Sequence, residues 1–493
     1  MPLSNTKPNI LYIMTDQQRF DAMSAHGGLA QTPHLDRLSQ EGANFHGFFS
    51  NAPVCVPSRC SLFSGQYTLT HGVLENDGRL SEDSPFLPKD LAENGYSLGY
   101  FGKNHLLDDQ DPRLSIFDAF DICEDANCVK EDLREVRQEF LDYRKARGER
   151  LGEFGSWASA DFHDYPEEVT APYILREKAI QFIDQHDRKD PFCVVLSFED
   201  PHVPHVAPKR FEATHPPEEM PIPSYPEETF QNKASRYDIK RIAQGSADAT
   251  DSDKQKYIAV YHAMISWIDE NVGAVLDHLE KTGLKEDTIV VFTSDHGDFA
   301  FHWGMCKKDL DLVDHLLHVP GIISWPGKIE PRDIPASQTL AEAIDLFPTL
   351  LDFAGIDIPK ESQGKSLKRF LLNETDSHKQ LVYSDICYEW MKNPYKDYDA
   401  FIDDWKKASV SNEPHLLRWT APFNVPGDHS RAVRSQQWKY IWYHDGHEEL
   451  YHVEEDPEEF FNLAIDPAYA DTLAAMRQQL KEAPASKAKT EAS

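Results

Sequence analysis

Cys55 lies in the run Asn-Ala-Pro-Val-Cys-Val-Pro-Ser-Arg-Cys-Ser-Leu-Phe-Ser-Gly-Gln, residues 51–66. A lone cysteine is most often a small buried hydrophobe. Here Pro57 suits the first turn of a helix continuing through Arg59, Cys60, Leu62 and Phe63. That places Cys55 just before a helix N-terminus, where N–H groups and the dipole favour an anion. The chemistry expected is nucleophilic, from a thiol of depressed pKa.

Two further pairs carry metal-ligand types. Asp16-Gln17 and Asp295-His296 each end a short apolar run. Alone, such carboxylates cap helices or are solvated. Together they would offer mainly oxygen ligands and one imidazole, a set suited to Ca²⁺, Mg²⁺ or Mn²⁺ rather than structural Zn²⁺. The run Glu199-Asp200-Pro201-His202-Val203-Pro204-His205 follows another apolar segment. A loop histidine commonly bonds backbone. Its functional reading is His202 as proton donor near neutral pH, with His205 a weaker candidate for that role or for substrate contact.

The elements that must position these residues are legible. Residues 9–16, 192–198 and 288–295 are continuous apolar runs, the pattern of strands buried on both faces. Between them, Ile258, Tyr261, Ile265, Ile268, Val272, Val275 and Leu279 recur at helical spacing, predicting a helix over 257–281. Such alternation predicts an α/β fold, a large mixed sheet flanked by helices. Ligands in such sheets bind at the carboxyl ends of the strands, where Asp16, the segment after Phe198 and Asp295-His296 would converge. Stretches 121–190 and 209–256 read as polar, irregular insertions. Residues 376–483 read as a smaller C-terminal α+β unit with an antiparallel sheet, strand-like over 431–443 and 448–453 around an Asp445-Gly446 turn. The division expected is 1–375, 376–483 and a disordered tail at 484–493.

The chain has 493 residues and a formal charge of −33. So acidic a surface repels nucleic-acid phosphates, and an anion-processing site would need a locally cationic pocket. No run is long and apolar enough to span a bilayer, and residues 1–8 lack an apolar signal core. A cytoplasmic protein with no membrane or nucleic-acid partner is expected. Seven cysteines without framework spacing predict free thiols.

Six segments in order resemble the formylglycine-dependent sulfatase family of the alkaline phosphatase superfamily. They are residues 9–16, Cys55-x-Pro-Ser-Arg59 through Gly65, Gly102-Lys103-Asn104-His105, Pro201-His202-Val203-Pro204, Ser294-Asp295-His296-Gly297, and Asp456-Pro457-Glu458-Glu459 to Asn462-Leu463. The resemblance implies an alkaline phosphatase-like fold. It also implies that a formylglycine-generating enzyme converts Cys55 to formylglycine, whose hydrate attacks sulfur. One divalent cation, usually Ca²⁺ with Mg²⁺ or Mn²⁺ as alternatives, would bind Asp16, Gln17, Asp295, His296 and residue 55. Many relatives have Asp-Asp where this chain has Asp16-Gln17. By the same resemblance Arg59 orients the hydrate, while Lys103, His105 and Lys308 meet the nucleophile and the sulfate oxygens. Lys307 is adjacent to Lys308 and competes for that role. His318 stands where many relatives have Arg.

The implied activity is hydrolysis of a small-molecule or saccharide sulfate ester, with His202 protonating the leaving alcohol. A phosphonate monoester or phosphodiester hydrolase with the same nucleophile is the nearest rival. The intact Lys103-x-His105 pair favours sulfate. An inactive binding protein and a thiol enzyme using Cys55 with His105 or His202 are the remaining alternatives. The leaving group and any homo-oligomer stay open.

Overall fold

A computed structural model describes residues 7–154, 156–234, 245–308, 311–387, 429–444 and 446–484, with Tyr237 and Arg241. The sequence segment 389–430, which carries Trp390, Tyr395, Tyr398, Phe401, Trp405 and Trp419, falls almost wholly outside these residues, as does nearly all of the tail expected at 484–493. The main sheet comprises β1 (Asn9–Thr15), β2 (Ala43–Phe45), β3 (Ser97–Gly102), β4 (Ala119–Asp121), β5 (Phe192–Ser197), β6 (Thr288–Ser294), β7 (Gly321–Ser324) and β8 (Arg332–Ile334). Their spatial order is β8-β2-β7-β6-β1-β5-β3-β4. The run β6-β1-β5-β3-β4 is parallel, and β7 is antiparallel to both its neighbours.

Period-two alternation in β1 divides the core. Ile10, Tyr12 and Met14 face one apolar cluster, and Leu11 and Ile13 face the other. Seven helices are used below: α1 (Pro33–Glu41), α2 (Cys55–Ser64), α3 (Arg134–Phe154), α4 (Ala171–Gln185), α5 (Asp251–Lys281), α6 (Leu346–Phe353) and α7 (Ala470–Lys481). Helices α2 and α6 cover the first face through Val56, Leu62, Phe63, Leu346 and Leu350. Helices α1, α4 and α5 cover the second through Leu35, Ile174, Ile183, Ile268, Val272 and Leu279. Each such side chain, fully buried, stabilises the fold by roughly 1.5–3 kcal/mol.

Several local expectations need correction. Helix α5 starts at Asp251, not 257, because Thr250 and Asp253 form a capping box there. Segment 121–190 is not irregular, since it contains α3 and α4. The strand expected over 431–443 is two strands. The second sheet is β9 (Val382–Cys387), β10 (His429–Arg434), β11 (Trp438–Tyr443) and β12 (Glu448–His452), all antiparallel. The Ser435 side chain accepts the Trp438 N–H and turns the chain between β10 and β11. Helix α7 packs Leu473, Met476 and Leu480 on one face of this sheet. The other face meets the main body through Ile386, Ala432, Ile441 and Tyr451 against Phe49, Trp303, Leu316 and Leu317. No helix among the described residues is long and apolar enough to cross a membrane.

Candidate active site

The parallel strands set the site by register. Thr15 pairs with Ser294, and Met14 and Gly102 both pair with Ser197. The residues that follow, Asp16, Asp295, Lys103 and the 198–205 segment, therefore leave the sheet at one edge. Two glycines are required for the close approaches there. A Cβ on Gly102, at φ +105°, would lie 1.9 Å from the Ser197 carbonyl oxygen, and one on Gly297 would lie 2.1 Å from that of His315.

Helix α2 carries the candidate nucleophile, Cys55. Cys55 is its first residue, rather than lying before it, and is buried. The Asn76 side chain accepts the Val56 N–H. Gly65, at φ +68°, closes the helix by donating to the Ser61 carbonyl. The Cys55 Sγ lies 2.6 Å from Lys308 Nζ, 3.3 Å from His296 Nε2 and 3.5 Å from Asp16 Oδ1. His202 also hydrogen-bonds Cys55 through its side chain, while its Nδ1 lies 2.7 Å from the Val203 carbonyl oxygen.

Cations converge on the same point. Asp16 Oδ2 lies 2.7 Å from Lys103 Nζ and 3.2 Å from Arg59 NH2, and Asp16 Oδ1 lies 3.6 Å from Lys308 Nζ. Arg59 Nε donates to Asp295 Oδ2 at 2.8 Å, and its NH1 donates to Ser197 Oγ and the Lys103 carbonyl. Lys308, not Lys307, reaches Cys55. The Lys307 N–H instead donates to Tyr257.

These contacts set the electrostatics. Burial pushes the Asp16 carboxyl up, but Lys103, Lys308, His202 and Arg59 together hold it well below the usual carboxylate range. Burial and Asp16 oppose ionisation of Cys55, yet Lys103, Lys308 and His296 hold its thiol well below the ordinary value. Burial, then Lys308 and Lys103, lowers the His202 imidazole.

Asp16, Cys55, Asp295 and His296 offer ligand atoms within 4.8 Å of one another. Gln17, next to Asp16 in sequence, could add an amide oxygen to this set. Its amide nitrogen is held by Asp298 Oδ2, and its Oε1 is buried without a hydrogen-bond partner. An orphaned buried amide oxygen beside two carboxylates and an imidazole is the donor chemistry of an oxygen-preferring divalent cation. The Gln17 backbone is held at φ 76°, its N–H on Asp295 Oδ1 and its carbonyl on Tyr261 OH.

The other candidates lie further out. His105, at φ 52°, lines a cleft of about 710 Å³ together with Lys103, Arg144 and Glu199. His205 packs edge-on against Tyr257 and is lowered to about 3 by burial, so it is a neutral packing group at neutral pH. His318 stacks between Phe20 and Phe49, with Nε2 3.0 Å from the His46 carbonyl oxygen. Sequence reasoning missed Asp298 and Tyr257, which fix the Gln17 amide through the Tyr257–Asp298 hydrogen bond. Asp298 could have been found three residues after Asp295. Tyr257 gives no signal, because it opens the apolar stripe of α5.

Comparison with known proteins identifies the family and the fold. The family model described as Sulfatase matches residues 8–356. The N-acetylglucosamine-6-O-sulfatase of Bacteroides thetaiotaomicron is 27% identical over 97% of this chain and 86% of that protein. A phosphonate monoester hydrolase from Silicibacter pomeroyi superposes with a TM-score of 0.74 at 24% identity, covering 97% of this chain and 95% of that one. A protein solved with its substrate D-glucosamine-2-N,6-O-disulfate superposes with a TM-score of 0.71 at 23% identity, covering 97% of both chains. The fold is therefore alkaline phosphatase-like, and the chain is a hydrolase belonging to the sulfatase family.

Proposed function

We propose that this protein hydrolyses a sulfate monoester of a carbohydrate or aryl alcohol. Its nucleophile is formylglycine made from Cys55 by a formylglycine-generating enzyme. One divalent cation, Ca²⁺ ahead of Mg²⁺ or Mn²⁺, is held by Asp16, Gln17, Asp295, His296 and residue 55. One observation carries this reading. Three cations, Arg59, Lys103 and Lys308, surround position 55 against two carboxylates, Asp16 and Asp295, and all five side chains are at most 12% exposed. A Cys55 thiolate supplies the third negative charge. Replacing it with an uncharged aldehyde leaves the pocket with excess positive charge, and an anionic ester is the ligand class that answers this.

The Cys55 sulfur stands where the hydrate oxygen would be. Lys308 and Lys103, beside it and Asp16, are placed to neutralise sulfuryl oxygens as charge shifts in the transition state. When bound, the cation supplies Lewis acidity and favours the ionised hydrate. Arg59 locks Asp295 and Asp16 in place. His202, whose side chain hydrogen-bonds position 55, donates its proton to the departing alcohol. The incoming anion opposes the effect of Lys308 and Lys103 on that imidazole, returning it toward the titration range a general acid needs. His105 accepts a proton as sulfate is released.

The choice of sulfate rests on the Lys103-x-His105 pair and on the likeness to a sugar sulfatase. Kinetics on an aryl sulfate and an aryl phosphonate monoester of the same phenol test it. The sulfate should have the higher kcat/KM. Dominant phosphonate turnover would move the assignment to phosphonate monoester or phosphodiester hydrolysis.

A further inference from the structure

A second pair of reactive groups, remote from Cys55 in sequence, reaches the wall of the cleft through one of its two members. Cys123 Sγ lies 2.8 Å from Cys128 Sγ, and both are free thiols. The separation is less than an ångström longer than a disulfide bond of about 2.05 Å. The loop between them is held in this shape by its own side chains. Asp121 accepts the Cys123 N–H at 2.7 Å, and Asp125 accepts the Asn127 N–H at 2.7 Å. Arg137, buried under the loop, donates to the Cys123 carbonyl at 2.8 Å and approaches its sulfur at 3.7 Å. Cys123 lines the same cleft as Lys103, His105 and Glu199. Cys123 is buried, whereas Cys128 is half-buried and open to a reagent.

We propose that Cys123 and Cys128 form a reversible dithiol–disulfide modification site in the wall of the catalytic cleft, with a small disulfide such as oxidised glutathione as co-substrate. The two thiols differ in the way exchange requires. The hydrogen bond from Cys123 brings Cys128 down to about 7, against the opposing effect of burial. The same contact, followed by burial, raises Cys123. A thiol titrating near the ambient pH is the effective attacker. Cys60 and Cys193, each pushed up to about 12 by burial, do not compete.

The Cys128 thiolate attacks one sulfur of the small disulfide. That S–S bond breaks, and the departing thiolate takes up the proton Cys128 has lost. Cys123 then gives up its proton and attacks Cys128 Sγ in the mixed disulfide. The second small thiolate leaves with that proton. Two electrons pass from the protein pair to the small disulfide, and no other reactant is needed. Closing the pair ties down the 123–128 loop and alters the cleft wall that substrate meets.

One tryptic peptide, residues 114–130 between Arg113 and Lys130, carries both cysteines. The full chain is equilibrated in glutathione buffers of increasing oxidised fraction, alkylated and digested. In oxidising buffer this peptide should lack alkyl groups and weigh two hydrogens less than the dithiol form. Dithiothreitol should return it to the doubly alkylated form. In the Cys123→Ser variant, glutathione should instead stay trapped on Cys128. A wild-type peptide doubly alkylated at every ratio, or a stable glutathione adduct on wild-type Cys128, would overturn the assignment. KM for an ester substrate should differ between oxidised and reduced wild type but not in Cys128→Ser. A KM that ignores the redox state would overturn the link to the cleft.

Discussion

Two buried charge clusters in this molecule use the same residue types and do opposite things. In the catalytic pocket, Arg59, Lys103 and Lys308 face Asp16 and Asp295, three cations against two carboxylates. Where the second sheet meets the main body, Lys233, Arg434 and Lys439 face Asp314, Glu449 and Glu459, three against three. Lys439 lies 2.7 Å from both Asp314 and Glu459, and Arg434 lies 3.0 Å from Asp314. Lys233 lies over Trp303 at 3.9 Å and Tyr451 at 4.4 Å, with Tyr451 OH bonded to Glu449. The second cluster closes on itself and ties two sheets together. The first keeps an orphaned Gln17 oxygen and, under the proposed conversion of Cys55, would hold an unanswered positive charge. Burial alone does not mark a functional site. An imbalance of charge and donors does.

The contrast can be broken in order of expected effect. Cys55→Ser, made in a host unable to convert serine, should lose at least about 10⁴-fold in turnover while melting like the wild type. Near-normal turnover would remove Cys55 from the chemistry. Lys439→Met should do the reverse. Leaving Asp314 and Glu459 without their shared cation should cost about 3–5 kcal/mol of stability, read by denaturant titration, with kcat of the folded enzyme unchanged. A kcat loss without destabilisation would show that the two clusters are not separate. Lys308→Met should lower kcat/KM by about 10²–10³-fold with no loss of melting temperature, since the cation it removes stabilises a transition state rather than the fold.

A pH experiment sharpens the comparison within the balanced cluster. Burial brings the Lys233 ammonium down from 10.5 to about 8, against the pull of Glu449 and Glu459. Below pH 8 both folded and unfolded chains hold the proton, so the cost of burying it is fully present. Between about 8 and 10.5 the folded chain has released it and the unfolded chain has not. Stability should therefore rise with pH across that window, by up to about 3 kcal/mol, relative to Lys233→Met. Parallel pH–stability curves for the two proteins would contradict the assignment. The smallest effect expected is from Asp298→Asn, which leaves the ligands intact but loosens the Gln17 amide. Affinity for the divalent cation, measured by titration, should fall by about 10–100-fold.

The catalytic region was more legible in sequence than the second sheet, for physical reasons. Strands buried on both faces are continuous apolar runs, so their ends, and with them Asp16 and Asp295, could be located by eye. The Cys55–Arg59 spacing is local to one helix turn and survives folding unchanged. What the letters left open or missed needed three dimensions. Lys307 and Lys308 are indistinguishable as letters, and only the turn that sends the Lys307 N–H to Tyr257 separates them. In sequence His318 only stands where many relatives have Arg, and folding makes it an aromatic packing group. Helix α3 was missed because it is polar almost all round, helical through Arg, Glu, Leu and Lys propensity rather than through an apolar stripe. The β10–β11 turn was missed because Ser435-Gln436-Gln437 contains neither Gly nor Pro.

The most direct test of the account is the chemical state of residue 55. The tryptic peptide 38–59, between Arg37 and Arg59, should be isolated after co-expression with a formylglycine-generating enzyme. The account predicts the mass of the aldehyde in place of the thiol, capture by a hydrazide, and sulfatase turnover proportional to the converted fraction. An unmodified thiol in fully active protein would contradict it.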